Sequence, residues 1–253
     1  MSDAGAPELT HDAFLGGLLY LWQPRRGYRA GVDPVLLAAS VQAEAGQTVL
    51  ELGCGVGAAI LCLGARVPGL DLTGIEMMPT YAALARRNGG DSLRVVEADI
   101  TAMPLDLRQQ QFDHVLANPP YFDRGASIRS TDDTREAALG EATPLGDWVR
   151  IAAKRLKPKG QAYFIHRAER LPELLQALPH DLGSVEVLPI APRAGRLPEL
   201  ILLRARKNGR GAFRLHLPLV MHGGAHHGAQ GDSYVPQVVA VLRGGAPLIF
   251  PAG

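Results

Sequence analysis

From Thr48 onward, short apolar runs alternate with helical patterns, and this alternation restricts the fold more than any other feature of the chain. Strands joined by helices form βαβ units, whose strands pair in parallel. A further helix is expected to begin at Asp33 and Pro34, because aspartate suits an N-cap and proline suits the first helical turn. The predicted strands cover residues 48–53, 70–76, 93–99, 112–117 and 161–167, and the predicted helices cover 58–66, 80–88, 146–157 and 170–178.

Two later apolar segments, 184–190 and 197–206, are separated by a short connection that contains Pro192 and Gly195. This connection is too short for a helical crossover, so the two segments are expected to form an antiparallel pair at one sheet edge. The sequence therefore predicts an α/β protein with a Rossmann-like, doubly wound, mostly parallel seven-stranded sheet and an antiparallel edge strand. A strand near 213–220 and a helix near 234–243 are expected to pack on that edge.

Composition excludes several classes of protein. Hydrophobic residues make up 47% of the chain, enough for a buried core, and no apolar run reaches the roughly eighteen residues of a membrane helix. The first residues lack a secretory signal and there are only two cysteines, so we expect a cytoplasmic protein without a disulfide scaffold. We expect no metal site, because the clustered histidines lie among glycines that give no rigid spacing; they are His216, His222, His226 and His227.

A glycine-rich loop follows the first strand of this series and opens the next helix. Gly53, Gly55 and Gly57 allow a sharp turn in which backbone N–H groups face a polar ligand. A tight strand–helix turn without a ligand is the alternative. The GxGxG spacing, with Glu51 just before the loop, favours S-adenosylmethionine over a dinucleotide. Glu76 ends the second strand, where an acid can accept both hydroxyls of a ribose.

A third acid, Asp99, ends the third strand. Its side chain could accept a hydrogen bond from the adenine amino group of the cofactor, and it also suits a helix N-cap. Three acidic residues at the carboxyl ends of three strands meet at one sheet edge, where open α/β sheets bind ligands. Together they favour a ligand site more strongly than any one of them does alone.

The fourth strand runs into the segment Asn118-Pro119-Pro120-Tyr121. The two prolines stiffen the backbone and keep the residue before each one out of the helical region. The Asn118 amide oxygen and the Pro119 carbonyl are both acceptors, so together they could hold a planar amine by its two N–H bonds. Tyr121 offers a flat face for an aromatic ring. A rigid turn is the alternative interpretation.

These segments resemble the class I S-adenosylmethionine-dependent methyltransferases, and more narrowly the group that methylates exocyclic or amide nitrogens through Asn-Pro-Pro-Tyr. The resemblance covers about residues 25–206 and rests on ELGCGVG, TGIE, EAD, ANPPYF and the upstream GYRAGVDPVLLAA. It implies that the helix beginning at Asp33 covers the methionine end of the cofactor and that Asp33 is the acid that binds the cofactor there. It also implies an extension over 1–45, a catalytic core over 46–207 and a second extension over 208–253.

The nearest subfamily is the bacterial tRNA adenine-N6 methyltransferases that act on adenosine 37 of a valine tRNA. The segments GVDPVLLAAS, NPPYF and APRAGRLPELILLRARK carry this resemblance. It implies that Asn118, Pro119 and Tyr121 are catalytic, that Asn118 also borders the cofactor, and that the target base must be unstacked to enter. The loop after the motif has more acids than expected beside RNA, and the C-terminal Gly/His segment is unfamiliar.

An RNA substrate requires a basic surface. Residues 1–149 carry 11 Lys/Arg and 19 Asp/Glu, whereas residues 150–253 carry 15 and 6, so the positive charge lies in the later part. Solvated surface is the alternative for each of these cations. The residues expected to contact the RNA are Pro120, Phe122, Arg124, Arg129, Arg135, Arg204 and Arg206, with Lys207, Arg210 and Arg214 as further candidates.

Three other functions remain open at this stage. A protein methyltransferase could use the same motif on a glutamine amide, but the roughly forty residues before the core are short for its substrate domain. A DNA adenine methyltransferase would need a sizeable target-recognition region, and no segment here is large enough. A catalytically inactive binding module is disfavoured by the intact segment from Asn118 to Tyr121.

Overall fold

The apolar runs join into one nine-stranded sheet in the computed structural model of this chain, which describes residues 8–121, 143–224 and 234–250. The strands are β1 Leu9–Phe14, β2 Leu19–Pro24, β3 Thr48–Leu52, β4 Asp71–Glu76, β5 Arg94–Glu97, β6 Phe112–Ala117, β7 Leu156–Arg167, β8 Leu182–Arg193, β9 Leu200–Lys207, β10 Arg214–Leu215 and β11 Leu219–His222. The helices are α1 Asp33–Ser40, α2 Ala58–Arg66, α3 Pro79–Gly89, α4 Leu105–Gln109, α5 Leu145–Arg155, α6 Leu171–Gln176 and α7 Pro236–Gly244.

Seven strands, β3 to β9, lie in the order β8-β9-β7-β6-β3-β4-β5. Strands β3 to β7 are mutually parallel, and β9 is antiparallel to both of its neighbours, β7 and β8. The predicted fold class is therefore confirmed, with the antiparallel pair at one end of the seven strands. The short strands β10 and β11 add to the sheet by pairing in parallel with β8.

Helices cover both faces of the sheet, and two apolar clusters fill the space beneath them. One cluster joins the sheet to α1, α2, α3 and α7, and the other joins it to α4, α5 and α6. Every residue of α1 after Asp33 is buried, because this helix packs against both α2 and α7. The parallel strands therefore open to a ligand only at their carboxyl ends, as the doubly wound arrangement requires.

Three local features differ from the sequence-based prediction. Strands β1 and β2 form an antiparallel hairpin that was not predicted. Helix α5 ends at Arg155 and β7 begins at Leu156, so Pro158 and Gly160 lie inside a strand instead of closing the helix. The strand tolerates this proline because the pairing of β6 with β7 is irregular there, and proline is confined to such positions. The strand expected near 213–220 divides into β10 and β11.

Two buried histidines make the stability of this fold sensitive to acid. The side chains of His114 and His166 are 4% and 0% exposed, and burial lowers the pKa of each from 6.5 to about 4. Between those values the unfolded chain binds protons that the folded chain does not. We therefore expect the free energy of unfolding, measured with urea, to fall as the pH drops from about 6.5 to about 4.

The substitution His114→Gln removes one of these two groups, so its free energy of unfolding should fall less steeply over the same pH interval. The matched substitution at the exposed His180 controls for the loss of a histidine as such. An unchanged pH dependence in the His114 variant would show that this side chain does not contribute to acid sensitivity.

Candidate active site

The loop between β3 and α2 adopts the left-handed conformation that its glycines permit. The φ angles of Gly53, Gly55 and Gly57 are 63°, 55° and 86°. The loop is anchored to the neighbouring strand, because the Cys54 N–H donates to the Ile75 carbonyl at 3.0 Å. These three positions confirm the expected sharp turn, and they require residues without a side chain.

Two buried carboxylates hold the backbone around this loop. The Oε2 atom of Glu76 accepts the Gly55 N–H and its Oε1 atom accepts the Met78 N–H, each at 2.8 Å. The Glu51 carboxylate accepts the Ile60 N–H in the first turn of α2 at 2.9 Å. Burial raises the pKa of both carboxyl groups, although backbone N–H groups partly offset this effect. Both acids therefore organise the loop whether or not a ligand is bound.

Asp99 occupies the third strand end as an N-cap. Its Oδ1 atom accepts both the backbone N–H and the hydroxyl of Thr101 at 2.8 Å. Its Oδ2 atom makes no hydrogen bond within the described part of the chain and is the oxygen left for a ligand. The sequence left two roles open for Asp99, a helix N-cap and an acceptor for the adenine amino group of the cofactor. The side chain has one carboxylate oxygen for each role.

Asn118 lies where β6 ends, beside the glycine loop. Its Nδ2 atom donates to the Tyr28 hydroxyl at 3.4 Å. Its Oδ1 atom is buried and has no hydrogen-bond partner among the described residues. A buried amide oxygen without a hydrogen-bond partner destabilises the folded state. This atom is therefore available to accept a hydrogen bond from a bound ligand.

Tyr121 is fixed by two side chains that lie far from it in the sequence. Its hydroxyl donates to the Asp33 Oδ2 atom at 2.5 Å, which links the motif to the start of α1. Its ring is tilted against the ring of His166, with 5.1 Å between centroids. The expected N-cap role of Asp33 is wrong, because Val32 is the N-cap residue and the Asp33 carboxylate makes no capping bond. Its carboxylate accepts the tyrosine hydroxyl instead.

Among the predicted RNA contacts, Pro120 lies in the described segment that follows β6 at the site. The others divide into two groups. Phe122, Arg124, Arg129 and Arg135 lie outside the described residues. The structure does not bring Arg204 and Arg206 to the site. Because β9 runs antiparallel to β7, the carboxyl end of β9 lies at the amino ends of the parallel strands. Arg204 is also occupied by Glu186, at 2.8 Å, and its guanidinium lies 4.4 Å from the centroid of the Phe250 ring.

Sequence reasoning missed two residues of this site. Tyr28 belongs to the upstream segment that carries the resemblance, yet nothing marks it except its place five residues before Asp33. His166, which was interpreted as structural, is the penultimate residue of β7, its ring contacts Tyr121, and its Nδ1 atom accepts the Arg167 N–H at 2.8 Å. Only the sheet order brings both residues to the Asn-Pro-Pro-Tyr segment.

The described part of the chain contains neither a metal-binding cluster nor a membrane-spanning helix. Within residues 8–121, 143–224 and 234–250, no three histidine, cysteine or acidic side chains are grouped so that they could hold a metal ion. Two of the clustered histidines have other contacts: His216 bonds Glu186 at 2.8 Å and His222 stacks on Tyr234. His226 and His227 lie outside these ranges. Over the same ranges, no helix has the length and apolar character needed to cross a bilayer.

Residues 49–137 match the family model described as a methyltransferase domain. Among curated proteins, the chain is 32% identical over 187 residues to a tRNA1(Val) (adenine(37)-N6)-methyltransferase of Porphyromonas gingivalis, which covers 69% of this chain and 72% of the relative. It is 27% identical over 185 residues to the enzyme of that name from Haemophilus influenzae, which covers 71% and 78%.

Solved structures agree with the fold. A protein of Agrobacterium tumefaciens described as a predicted O-methyltransferase has a TM-score of 0.69 and 28% identity, and the match covers 85% of this chain and 98% of that one. The 16S rRNA N2 G1207 methyltransferase of Thermus thermophilus, solved with AdoMet and guanosine, has a TM-score of 0.55 and 20% identity, over 81% and 52% of the two chains. The second likeness concerns the fold alone.

The glycine loop offers a direct test of the site's packing. A Cβ atom on Gly53 would lie 2.6 Å from the buried Trp148 ring, whereas one on Gly195 would meet nothing within 4 Å. Both residues have positive φ, so alanine costs about 1–2 kcal/mol at either position. Gly53→Ala adds a clash worth about 1–3 kcal/mol. Urea unfolding should therefore show a larger loss for Gly53→Ala than for Gly195→Ala, and only the former should weaken cofactor binding.

Equal losses of unfolding free energy in the two variants would contradict the close packing of the loop on Trp148. Cofactor affinity, measured by calorimetry in each variant, separates damage to the loop from general loss of stability.

Proposed function

Since this chain belongs to the family of the tRNA1(Val) (adenine(37)-N6)-methyltransferases, we propose that it transfers a methyl group to N6 of adenosine 37 in a valine tRNA. The observation that carries this proposal is the Asn118 Oδ1 atom, buried and without a partner among the described residues at the carboxyl edge of the sheet. An exocyclic amino group is the donor that such an acceptor fits.

The side chains at this edge fit the cofactor of the family, S-adenosylmethionine. The loop of Gly53, Gly55 and Gly57 brings backbone close to a ligand, and each oxygen of Glu76 keeps a second lone pair for a ribose hydroxyl. The free Oδ2 atom of Asp99 would accept the adenine amino group. Glu51 acts on this ligand indirectly, by capping α2 beneath the loop.

The hydrogen-bond acceptors of the Asn-Pro-Pro-Tyr segment act on the amino group of the substrate base. Bound S-adenosylmethionine supplies a methyl group already activated on a sulfonium sulfur, so alignment is the main requirement. The Asn118 Oδ1 atom and the Pro119 carbonyl accept the two N–H bonds of N6 and favour a pyramidal nitrogen whose lone pair is localised. The same dipoles stabilise the positive charge that develops on that nitrogen. No strong base is required before the attack.

Tyr121 receives the target base. Its hydroxyl bond to Asp33 and its contact with His166 fix the plane of the ring before any substrate arrives. Stacking of a base on such a ring contributes about 1–3 kcal/mol. The adenosine must leave its neighbours to reach this ring, which is easier in an anticodon loop than in a duplex. A tRNA substrate also makes the cytoplasm the expected location.

Methyl transfer to isolated substrates tests the proposal. Purified protein and labelled S-adenosylmethionine are incubated in parallel with total tRNA from cells lacking the protein, total protein and plasmid DNA, followed by nucleoside analysis. We expect N6-methyladenosine in tRNA alone. Label in glutamine side chains or in DNA would favour one of the two other methyltransferase functions, and a ribose 2′-O-methyl product would favour an O-methyltransferase.

The substitution Asn118→Ala should reduce kcat at least about 100-fold, as loss of a preorganised polar group does elsewhere, and leave the Kd for S-adenosylmethionine nearly unchanged. The control is Asn208→Gly, which removes an exposed asparagine amide at the opposite sheet edge, where φ is 57° and suits glycine. Retained turnover in the Asn118 variant would refute the proposed role of its amide oxygen.

The RNA backbone requires cations at the carboxyl edge of the sheet, which Arg204 and Arg206 do not reach. The segment from Arg25 to Arg29 does reach it, since Tyr28 within it contacts Asn118. The Arg25 side chain is 62% exposed and pairs, among the described residues, with Glu8, which is 78% exposed, and such an exposed ion pair contributes little stability. Arg26 is exposed and has no ion pair among the described residues. We therefore assign this segment to the phosphates that flank the target adenosine.

The substitution Arg26→Ala should weaken tRNA binding and reduce the slope of log K against log salt by about 0.7–0.9, the value for one phosphate contact. Arg206→Ala, an exposed arginine at the opposite edge, is the matched control and should leave both quantities unchanged. Filter binding of tRNA at several salt concentrations measures both. A larger loss of tRNA affinity and salt slope in Arg206→Ala than in Arg26→Ala would place the RNA at the amino ends of the parallel strands.

A further inference from the structure

The Asn118 amide has two chemically different ends, and the reaction needs only one of them. If the side chain were rotated by half a turn, its NH2 group would face the substrate nitrogen and could not accept from it. The structure has the oxygen buried without a partner among the described residues and the NH2 group directed at the Tyr28 hydroxyl, 3.4 Å away. Something must therefore favour this orientation before the substrate binds.

Tyr28 is held in place by contacts with three parts of the fold. Its carbonyl accepts the Tyr81 hydroxyl of α3 at 3.3 Å. A Cβ atom on Gly55 would lie 4.0 Å from its ring, so the ring borders the glycine loop. Two residues later, the Ala30 N–H donates to the Oε1 atom of the buried Gln23 at 2.8 Å. These contacts hold the backbone on both sides of Tyr28 and place its ring beside the glycine loop, although the residue lies on a segment between β2 and α1.

We propose that Tyr28 is a positioning residue, whose hydroxyl oxygen accepts from the Asn118 NH2 group and so turns the amide oxygen toward the reacting nitrogen. This inference rests on the proposed function for the identity of that nitrogen. It differs from the catalytic role of Asn118, because Tyr28 acts through the amide and not on the substrate.

The charges around this hydroxyl favour the same orientation. The pKa of Tyr28 is raised by burial of its hydroxyl end, although the residue as a whole is half exposed, and then by the Asp33 and Glu51 carboxyl groups. The Asp33 carboxylate attracts the positive NH2 end of a neighbouring amide and repels its oxygen, whereas Glu51 contributes less charge because burial raises its pKa. Two independent features, a hydrogen bond and the sign of the local charge, therefore select the same orientation of Asn118.

The chain allows this orientation to be observed without any assay of activity. Asn88, Asn118 and Asn208 are its three asparagines, so 15N-asparagine labelling gives three side-chain NH2 groups. The Asn118 signals are assigned by their loss in Asn118→Ala. Tyr28→Phe removes the hydroxyl and keeps the ring, and Tyr20→Phe is the matched control, since both tyrosines are 52% exposed.

In Tyr28→Phe we expect the Asn118 side-chain signals to shift and to exchange faster with water, while the signals of Asn88 and Asn208 stay in place. We expect kcat to fall about tenfold, the effect of one hydrogen bond, with KM for tRNA and Kd for S-adenosylmethionine within twofold of the wild type. Tyr20→Phe should change none of these. A rise in the cofactor Kd with unchanged kcat would overturn the proposal, since Tyr28 would then be a cofactor contact.

Unchanged Asn118 signals in Tyr28→Phe would also overturn it, whatever the activity. The signals also separate this inference from the proposed function. A wild-type protein that methylates no tRNA, but whose Asn118 signals respond to Tyr28→Phe, would refute the substrate assignment and support the contact between the two side chains.

Discussion

The carboxyl edge of this sheet depends on carboxylates that accept backbone N–H groups of the glycine loop. The left-handed turn through Gly53 and Gly55 directs N–H groups away from any regular ladder, and buried N–H groups need acceptors. Glu76, on the neighbouring strand β4, accepts one of them, from Gly55, and also the Met78 N–H just after its own strand, while Glu51 accepts one N–H from the first turn of α2. Replacement of either acid by an apolar residue would leave these donors buried and unpaired, which costs about 1–3 kcal/mol for each.

The N-terminal part of the chain completes the same edge through polar contacts. Asn88 of α3 illustrates this, because its amide accepts from the Trp22 N–H and donates to the carbonyls of Trp22 and Val56, which fastens β2 to the glycine loop. Tyr28 and Asp33, from the same N-terminal part, form hydrogen bonds with Asn118 and Tyr121 of the Asn-Pro-Pro-Tyr segment. A boundary between an extension at 1–45 and a core at 46–207 stays a prediction, and these bonds argue that the two would not fold independently.

The sequence predicts those parts of the fold that are determined by short segments of the chain, and not by packing between distant segments. Alternating apolar runs, the glycines of the loop and the acids at strand ends correctly placed β3 to β9, because periodicity and strand ends are properties of short segments. The hairpin β1–β2 was missed because its pattern mixes aromatic, charged and small residues without clear alternation. Pro158 was misread as a helix stop because the bulge that tolerates it depends on pairing with β6. Tyr28 and His166 join the site only through long-range packing.

The placement of Arg204 and Arg206 shows why charge counting alone does not locate a binding surface on an α/β sheet. The later part of the chain carries the excess of positive charge, yet the direction of each strand decides which of its residues reach the site. The carboxyl end of the antiparallel β9 points away, and its Arg204 neutralises Glu186. In contrast, the segment at 25–29 belongs to the part with net negative charge but lies directly beside Asn118. Because salt screens charges beyond about 10 Å, the cations adjacent to a binding site, and not the net charge of either part of the chain, determine how an anionic ligand is held there.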